Sequence, residues 1–232
     1  MIISHKHKFI FIKSIKTASS STEAALLAYL KNPEDPDFIE EYPAFKGRQL
    51  EHSFGSRTGK HGYTSEVRPH LRPNQIIEIM GGEKFDEYSK IVNIRNPYDQ
   101  LVSLFWWATW FRNSQRLESI SKASLGLQRI YFLRWMVRNT GWILRSRTRN
   151  FVRDETGRVF PALYIRYEHL QSDVEAVFAR IGLPENPTLP TFKGDIRASK
   201  LPYQSFYSLP TRLLARALLG WEIRTFGYKF DR

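Results

Sequence analysis

Short apolar runs alternate with longer stretches of helical periodicity along this chain. Three runs are short, apolar and rich in β-branched residues, which is typical of buried strands. They are residues 8–12, 90–94 and 162–165. Other stretches have helical spacing or strong helix formers. They are residues 23–30, 97–111, 125–137, 173–181 and 210–219. Residues 76–79 suit either a strand or a helix end.

This alternation of strands and helices predicts an α/β fold with a mainly parallel sheet. Pro97 suits the first turn of its helix, and Gly182 suits the end of another. The chain has 232 residues, with no repeat and no low-complexity linker. We therefore expect one domain, spanning 1–232.

Composition and charge narrow the possible functions. The 42% hydrophobic content can form a core, and the lack of cysteine excludes disulfides, thiol nucleophiles and Cys-ligated metals. Lys and Arg number 35 against 23 Asp and Glu, a net charge of +12. Such a charge favours an anionic partner, which could be nucleic acid, an acidic membrane surface or a small anion. No apolar run reaches the ~18 residues of a membrane span, and no signal peptide is visible, so we expect a soluble, cytoplasmic protein.

The turn after the first strand carries a lysine and five hydroxyls. Lys16 is followed by Thr17, Ser19, Ser20, Ser21 and Thr22, with Ala18 among them. A strand-to-helix turn presents backbone N–H groups at the positive end of the helix dipole, which suits a phosphate. The turn lacks the glycines of a Walker A loop. It is compatible with phosphate binding or with an ordinary serine-rich helix cap.

A second stretch follows the strand at 90–94. Arg95 stands at the carboxyl end of that strand, where α/β folds bind ligands, and Ser103 lies two helical turns further on. The guanidinium could fork onto a phosphate while the hydroxyl donates one more bond. The alternative is a salt-bridged arginine beside a helix that begins with proline.

Taken together, the two stretches resemble the sulfotransferase superfamily, closest to its family-2 (carbohydrate-type) and short microbial members. Their first motif typically reads P-K-T-G-G-T-S, and residues 15–21 match it with Ile15 for proline and Ala18-Ser19 for the glycines. Residues 59–68, 85–90, 165–170 and 226–230 resemble later family segments in the same order. The resemblance implies a P-loop-like three-layer fold.

The resemblance also implies a donor, 3′-phosphoadenosine 5′-phosphosulfate (PAPS), and no metal. Lys16 would stabilise the leaving phosphate. Arg95 and Ser103 would hold the 3′-phosphate. Arg197 and Lys200 would belong to a late loop that closes over the nucleotide, although a solvated turn explains them equally well. The 5′-phosphate would be held by the backbone amides of 18–22 and by the hydroxyls of Thr17, Ser19, Ser20, Ser21 and Thr22.

The acceptor hydroxyl needs a base whose pKa lies near neutrality, which points to a histidine or a glutamate with a raised pKa. His61 matches the family segment and is the first choice, and His52 is the second. His70, Glu66 and Glu78 remain open. We expect a carbohydrate or other small hydroxyl acceptor, which could be a glycan or an anion, with an amine as the alternative.

Competing interpretations concern the partner of so basic a chain. A P-loop-like kinase would place acidic Mg²⁺ ligands after its strands, where Arg95 and Arg166 stand. A non-enzymatic anion-binding module would show steep salt dependence. We expect neither a nucleic-acid nor a membrane partner, and the sequence leaves the oligomeric state open.

The stretch 112–153 is rich in arginine, which suits an anionic acceptor or a plain solvated surface. The tryptophans at 106, 107 and 110 suit a core or an acceptor pocket.

Overall fold

The computed structural model describes residues 1–30, 70–183, 187–190, 199 and 201–230. By its internal contacts the chain forms two compact units. The sheet unit comprises Met1–Ile94 and Asn150–Phe192, and the helical unit comprises Arg95–Arg149 and Lys193–Arg232. Compact units of this kind need not fold separately, so the single domain expected from the sequence stays a prediction.

The sheet unit is built on a four-stranded sheet. Its strands are β1 (Ile2–Ser4), β2 (Phe9–Ile12), β3 (Ser89–Ile94) and β4 (Leu163–Arg166). They lie in the order β1-β2-β3-β4, with β1 antiparallel to β2 and the other pairs parallel. The α/β class and the mainly parallel sheet are therefore confirmed. β1 was not predicted, because three residues before a charged turn carry no periodic signal.

Helices account for most of the remaining described chain. They are, in order, α1 (Ser19–Leu30), α2 (Pro73–Met80), α3 (Gly82–Glu87), α4 (Pro97–Arg112), α5 (Ser114–Lys122), α6 (Leu125–Arg138), α7 (Thr140–Arg145), α8 (Leu170–Arg180) and α9 (Leu209–Thr225). The ambiguous segment 76–79 is therefore helical. The expected helices are confirmed, although α1 begins four residues earlier than its helix formers suggested. Each helix of the described chain is too short or too polar to span a lipid bilayer.

Both faces of the sheet are buried. Phe9, Phe11 and Ile91 join one core with residues of α1 and α8, among them Leu26 and Phe178. The residues between them in the strands point to the opposite face and are buried as well. They are Ile10, Ile12, Val92 and Ile94. A sheet covered on both faces is what a three-layer α/β fold requires.

The helical unit packs around aromatic side chains. Phe105 of α4 makes edge-on contacts with Phe132 and Trp135 of α6. Trp106 is fully buried against Phe206. The core interpretation therefore holds for Trp106. Trp107 is only half-buried and lies between other rings at the surface of α4.

Helix α6 exposes most of the apolar positions that predicted it. Leu127, Ile130 and Val137 are 49%, 54% and 60% exposed, whereas Met136 is buried. The buried positions include a glutamine and two aromatic residues, namely Gln128, Phe132 and Trp135. Helical spacing thus predicted the helix correctly without indicating which of its faces is buried.

Candidate functional site

The parallel register places the turn after β2 beside the end of β3. Ile12 pairs with Val92, so the chain leaves β2 next to Asn93. Carboxyl ends of parallel strands are where open α/β sheets bind ligands. The motif at 15–21 therefore follows a strand at the expected edge of the sheet.

The backbone of this turn passes through two left-handed residues before α1 begins. Lys16 and Ala18 each have φ of +61°. This region costs a residue with a side chain roughly 1–2 kcal/mol, and glycine adopts it without that cost. The sulfotransferase motif carries glycine where Ala18 stands. The backbone here follows a path that glycine favours, although the sequence departs from the motif.

The early start of α1 changes which amides face the turn. The amides of Ser21 and Thr22 donate to the Ala18 carbonyl, with N···O distances of 2.9 and 3.3 Å. They are engaged in the first turn of the helix. A phosphate at this helix end would therefore meet the amides of Ala18, Ser19 and Ser20, a narrower set than the predicted 18–22.

Three of the five hydroxyls fasten the turn to itself and to β3. The Thr17 hydroxyl lies 2.7 Å from that of Ser14, which in turn donates to the Asn93 carbonyl. The Ser19 hydroxyl donates to the Ser14 carbonyl at 2.7 Å. The Thr22 hydroxyl accepts a hydrogen bond from the side-chain amide of Asn93, with an N···O distance of 2.9 Å. These hydroxyls hold the shape of the turn, and their contact with a phosphate stays a prediction.

Lys16 and Ser20 are the half-buried members of the turn that carry a hydrogen-bonding side chain. Ser21 is buried, at 7% exposure. A half-buried lysine can keep part of the hydration of its ammonium and can still approach an anion. The placement of Lys16 is therefore compatible with the role that the resemblance implies.

A buried ion pair connects the two ends of the turn. The Lys13 ammonium lies 2.6 Å from one Glu23 carboxylate oxygen, and the terminal ammonium of Met1 lies 2.9 Å from the other. The side chains of Lys13 and Glu23 are 2% and 12% exposed. Lys13 directly follows β2 and Glu23 lies in α1, so the pair joins the two ends of the turn.

His70 also contacts the turn. Its Nδ1 lies 2.8 Å from the Lys13 carbonyl oxygen, and because a carbonyl only accepts, Nδ1 carries the proton. Burial, and secondarily the charge of Lys13, lower the pKa of His70 from 6.5 to about 4. A base with so low a pKa accepts protons poorly near neutrality. The contact favours an anchoring role for His70 over the role of general base.

We expect stability to fall as pH drops below the ordinary pKa of histidine. Since the folded chain holds the pKa of His70 near 4, only the unfolded chain binds this proton between about pH 6.5 and 4. The free energy of unfolding should therefore decrease by about 2 kcal/mol from pH 7 to pH 5. Urea titrations at both pH values measure the decrease.

A His70→Asn variant is the matched control for this effect. Its amide can still donate to the Lys13 carbonyl, but it does not titrate. The variant should lose most of the pH dependence of unfolding between pH 7 and pH 5. An equal dependence in both proteins would contradict the role of His70.

In the helical unit, Arg95 is paired with a carboxylate. Its Nε and Nη2 lie 2.9 and 2.7 Å from the same oxygen of Asp99, and its side chain is 8% exposed. The salt bridge that the sequence allowed is thus present. Binding of the 3′-phosphate by Arg95 stays a prediction, and it requires the guanidinium to serve the phosphate alongside Asp99.

Asp99 and Ser103 lie four residues apart in the first two turns of α4, and Arg95 stands just before the helix. Residues four apart share a helix face, and both Asp99 and Ser103 are half-buried there. Asn96 caps this helix by accepting from the Tyr98 amide at 3.1 Å, with Pro97 in the first turn as predicted. Asp99 and Ser103 therefore share one face of the helix, and Arg95, which precedes the N-cap, reaches that face through its salt bridge to Asp99.

Several predicted site residues lie outside the described part of the chain. They are the base candidates His52, His61 and Glu66, together with Arg197 and Lys200 of the late loop. Glu78 is described, and it is exposed on α2. His5 and His7 lie in the turn before β2, at the end of the strand remote from the motif.

Sequence reasoning missed three residues that shape the turn and α4. The Asn93 carbonyl accepts a hydrogen bond from the turn. Glu23 forms an ion pair with Lys13, and Asp99 forms one with Arg95. Asp99 could have been found from its four-residue spacing to Arg95. Asn93 and Glu23 had weaker signals, a polar residue inside an apolar strand and an acid that follows a lysine at the end of a strand.

Within the described ranges, no group of three or more acidic or histidine side chains could hold a metal ion, and the expected lack of a metal stays a prediction.

Comparison with known proteins adds no family assignment. The chain matches no protein-family model, no curated protein and no solved structure.

Proposed function

We propose that this protein is a sulfotransferase that transfers the sulfuryl group of PAPS to a hydroxyl of a carbohydrate or other small acceptor. An amine is the alternative acceptor. The proposal combines the two motifs of the sequence with the geometry of the residues that carry them.

The observation that carries the proposal is the turn between β2 and α1. It follows a strand of a parallel sheet, presents Lys16, and has positive φ at Ala18, where the motif typically has glycine. The most serious departure from the motif thus leaves the backbone in a conformation that glycine would adopt. The order of Arg95, Pro97 and Ser103 along α4 supports the second motif.

In the proposed reaction the acceptor oxygen attacks sulfur in line with the leaving group. The new S–O bond forms as the bond from sulfur to the bridging oxygen of the 5′-phosphate breaks, and the product 3′-phosphoadenosine 5′-phosphate (PAP) leaves with that electron pair. Lys16 would stabilise the charge that develops on the bridging oxygen. The acceptor proton passes to a base, which by resemblance is His61.

Titration calorimetry with PAP and with adenosine 5′-phosphate, both without metal, tests the proposal. The two nucleotides differ in the 3′-phosphate. A hydrogen bond to a charged group contributes about 1.5–3 kcal/mol, so we expect PAP to bind at least about 10-fold more tightly. Equal affinity, or binding of neither nucleotide, would contradict the assignment. A requirement for Mg²⁺ would favour the kinase interpretation.

Ser103→Ala makes the same experiment specific to one residue. We expect it to weaken PAP binding about 10-fold and to leave the affinity for adenosine 5′-phosphate unchanged. Ser119→Ala is the matched control, because Ser119 is an exposed helical serine that donates within its own helix. If both variants bind PAP as the natural protein does, Ser103 does not contact the 3′-phosphate.

A further inference from the structure

Helix α6 turns an unusually apolar side to solvent. Leu127, Ile130, Tyr131 and Val137 are between 37% and 60% exposed. Arg134 and Arg138 are exposed on the same side of the helix. These six residues, spaced as one helical face, are called the α6 outer face below. A solvated helix normally carries polar residues on this side, so the face requires an explanation.

Helix α9 repeats the combination. Leu209 and Leu213 are 70% and 58% exposed, and Arg212 and Arg216 beside them are exposed as well. The single acid of α9, Glu222, is 1% exposed and accepts from the Arg149 amide. Leucine and arginine therefore recur together on the outer sides of two helices of the helical unit.

The charge of the chain is concentrated in this unit. It carries 18 of the 35 Lys and Arg residues but 5 of the 23 Asp and Glu residues, a net charge of +13. The sheet unit, with 17 basic and 18 acidic residues, has a net charge of −1. Helix α6 itself contains no acid. Whatever binds the α6 outer face must therefore be both anionic and apolar.

A bilayer that contains anionic lipids has both properties. Interfacial helices insert leucine, isoleucine and aromatic side chains at the boundary between headgroups and acyl chains, while arginines contact lipid phosphates. Tyrosine, here Tyr131, is enriched at the same depth. The solvent side of a helix is convex, which suits a deformable lipid surface.

A second copy of this chain fits the face less well. A symmetric dimer would place the same patch against itself, so Arg134 and Arg138 would face like charges without an acid on α6 to offset them. An acidic protein partner would itself have to supply an apolar groove lined with acids to receive this convex helix side.

We propose that the α6 outer face docks this protein peripherally on anionic lipid surfaces. This replaces the expectation of no membrane partner, which rested on the lack of a span. Docking of this kind needs no span, because the apolar side chains of one helix face enter only the interface.

Cosedimentation of the full chain with vesicles tests the proposal. One set of vesicles contains phosphatidylcholine alone, and the other contains about 30% phosphatidylserine. We expect binding to the anionic vesicles, with affinity at least about 10-fold lower for neutral ones and falling as salt rises. Ile130→Ser/Val137→Ser and Arg134→Gln/Arg138→Gln should each weaken binding about 10-fold.

Matched controls lie in the sheet unit. Ile79→Ser changes a comparably exposed isoleucine of α2, and Arg180→Gln changes an exposed arginine of α8. Neither should alter vesicle binding, and thermal unfolding checks that all variants fold. Failure of the natural protein to bind anionic vesicles would overturn the proposal. So would equal losses in the control variants, or a dimer in sedimentation velocity that Ile130→Ser/Val137→Ser dissociates.

Discussion

Replacing Lys16 with methionine is expected to lower kcat for the proposed sulfuryl transfer by about 10²–10³-fold. Methionine keeps the length of the side chain and removes the charge, so the loss isolates the electrostatic contribution to the leaving phosphate. The cost of the left-handed conformation at position 16 is the same in both proteins, because lysine and methionine both have a Cβ. Transfer of a radiolabelled sulfuryl group from PAPS to acceptors in a mixture of monosaccharides and phenols measures the rate.

The affinity for PAP should change far less, by roughly 10-fold at most, since the charge on the bridging oxygen is largest in the transition state. Lys84→Ala is the control, because Lys84 is an exposed lysine on α3 of the same unit. A Lys16→Met protein with unchanged turnover would contradict the role of Lys16. Lys16→Arg should retain part of the rate, since the charge remains but its position is less exact.

Replacing Glu23 with glutamine is expected to lower the free energy of unfolding by about 3–5 kcal/mol. The substitution keeps the shape of the side chain but removes the negative charge that faces two buried ammonium groups, those of Lys13 and of the Met1 terminus. Weakening the ion pairs of buried charges is costly because the protein interior solvates those charges poorly. Urea unfolding at pH 7 measures the loss.

The exposed pair on α5 is the natural control. The Lys122 ammonium lies 2.6 Å from Glu118, at the same distance as the buried pair, but the two side chains are 74% and 65% exposed. Glu118→Gln should cost far less stability than Glu23→Gln, because water screens an exposed ion pair. The double variant Lys13→Met/Glu23→Gln should regain the part of the stability lost in Glu23→Gln that the buried lysine charge costs, while the terminal ammonium of Met1 still lacks the Glu23 charge. A cost below about 1 kcal/mol for Glu23→Gln alone would show that water reaches the pair.

The element pattern was the most predictable part of the fold. The runs 8–12, 90–94 and 162–165 became strands and Pro97 began a helix, because these signals depend on residues close together in the chain. The pattern was ambiguous at 76–79, which lies in α2. It contained no signal for β1, because three residues are too few to show a periodicity and the strand forms by pairing with β2.

The candidate site was predictable in its residue types and less so in their partners. A lysine with hydroxyls after a strand indicates anion binding without showing which hydroxyls are committed elsewhere. Ser14 reaches the carbonyl of Asn93 across 79 positions of sequence, and Thr17 binds Ser14 in turn. Likewise, Asp99 already pairs with Arg95, so any phosphate there would share the guanidinium.

Sequence by itself determined the α/β class, the order of the two motifs and the net charge of +12. These follow from local periodicity and composition. Only the tertiary structure decided where that charge lies, which turn hydroxyls are internal, and which side of α6 meets solvent. The physical reason is that burial depends on neighbours brought together from distant parts of the chain. Leu127 and Phe132 are apolar residues of one predicted helix, and only packing makes one exposed and the other buried.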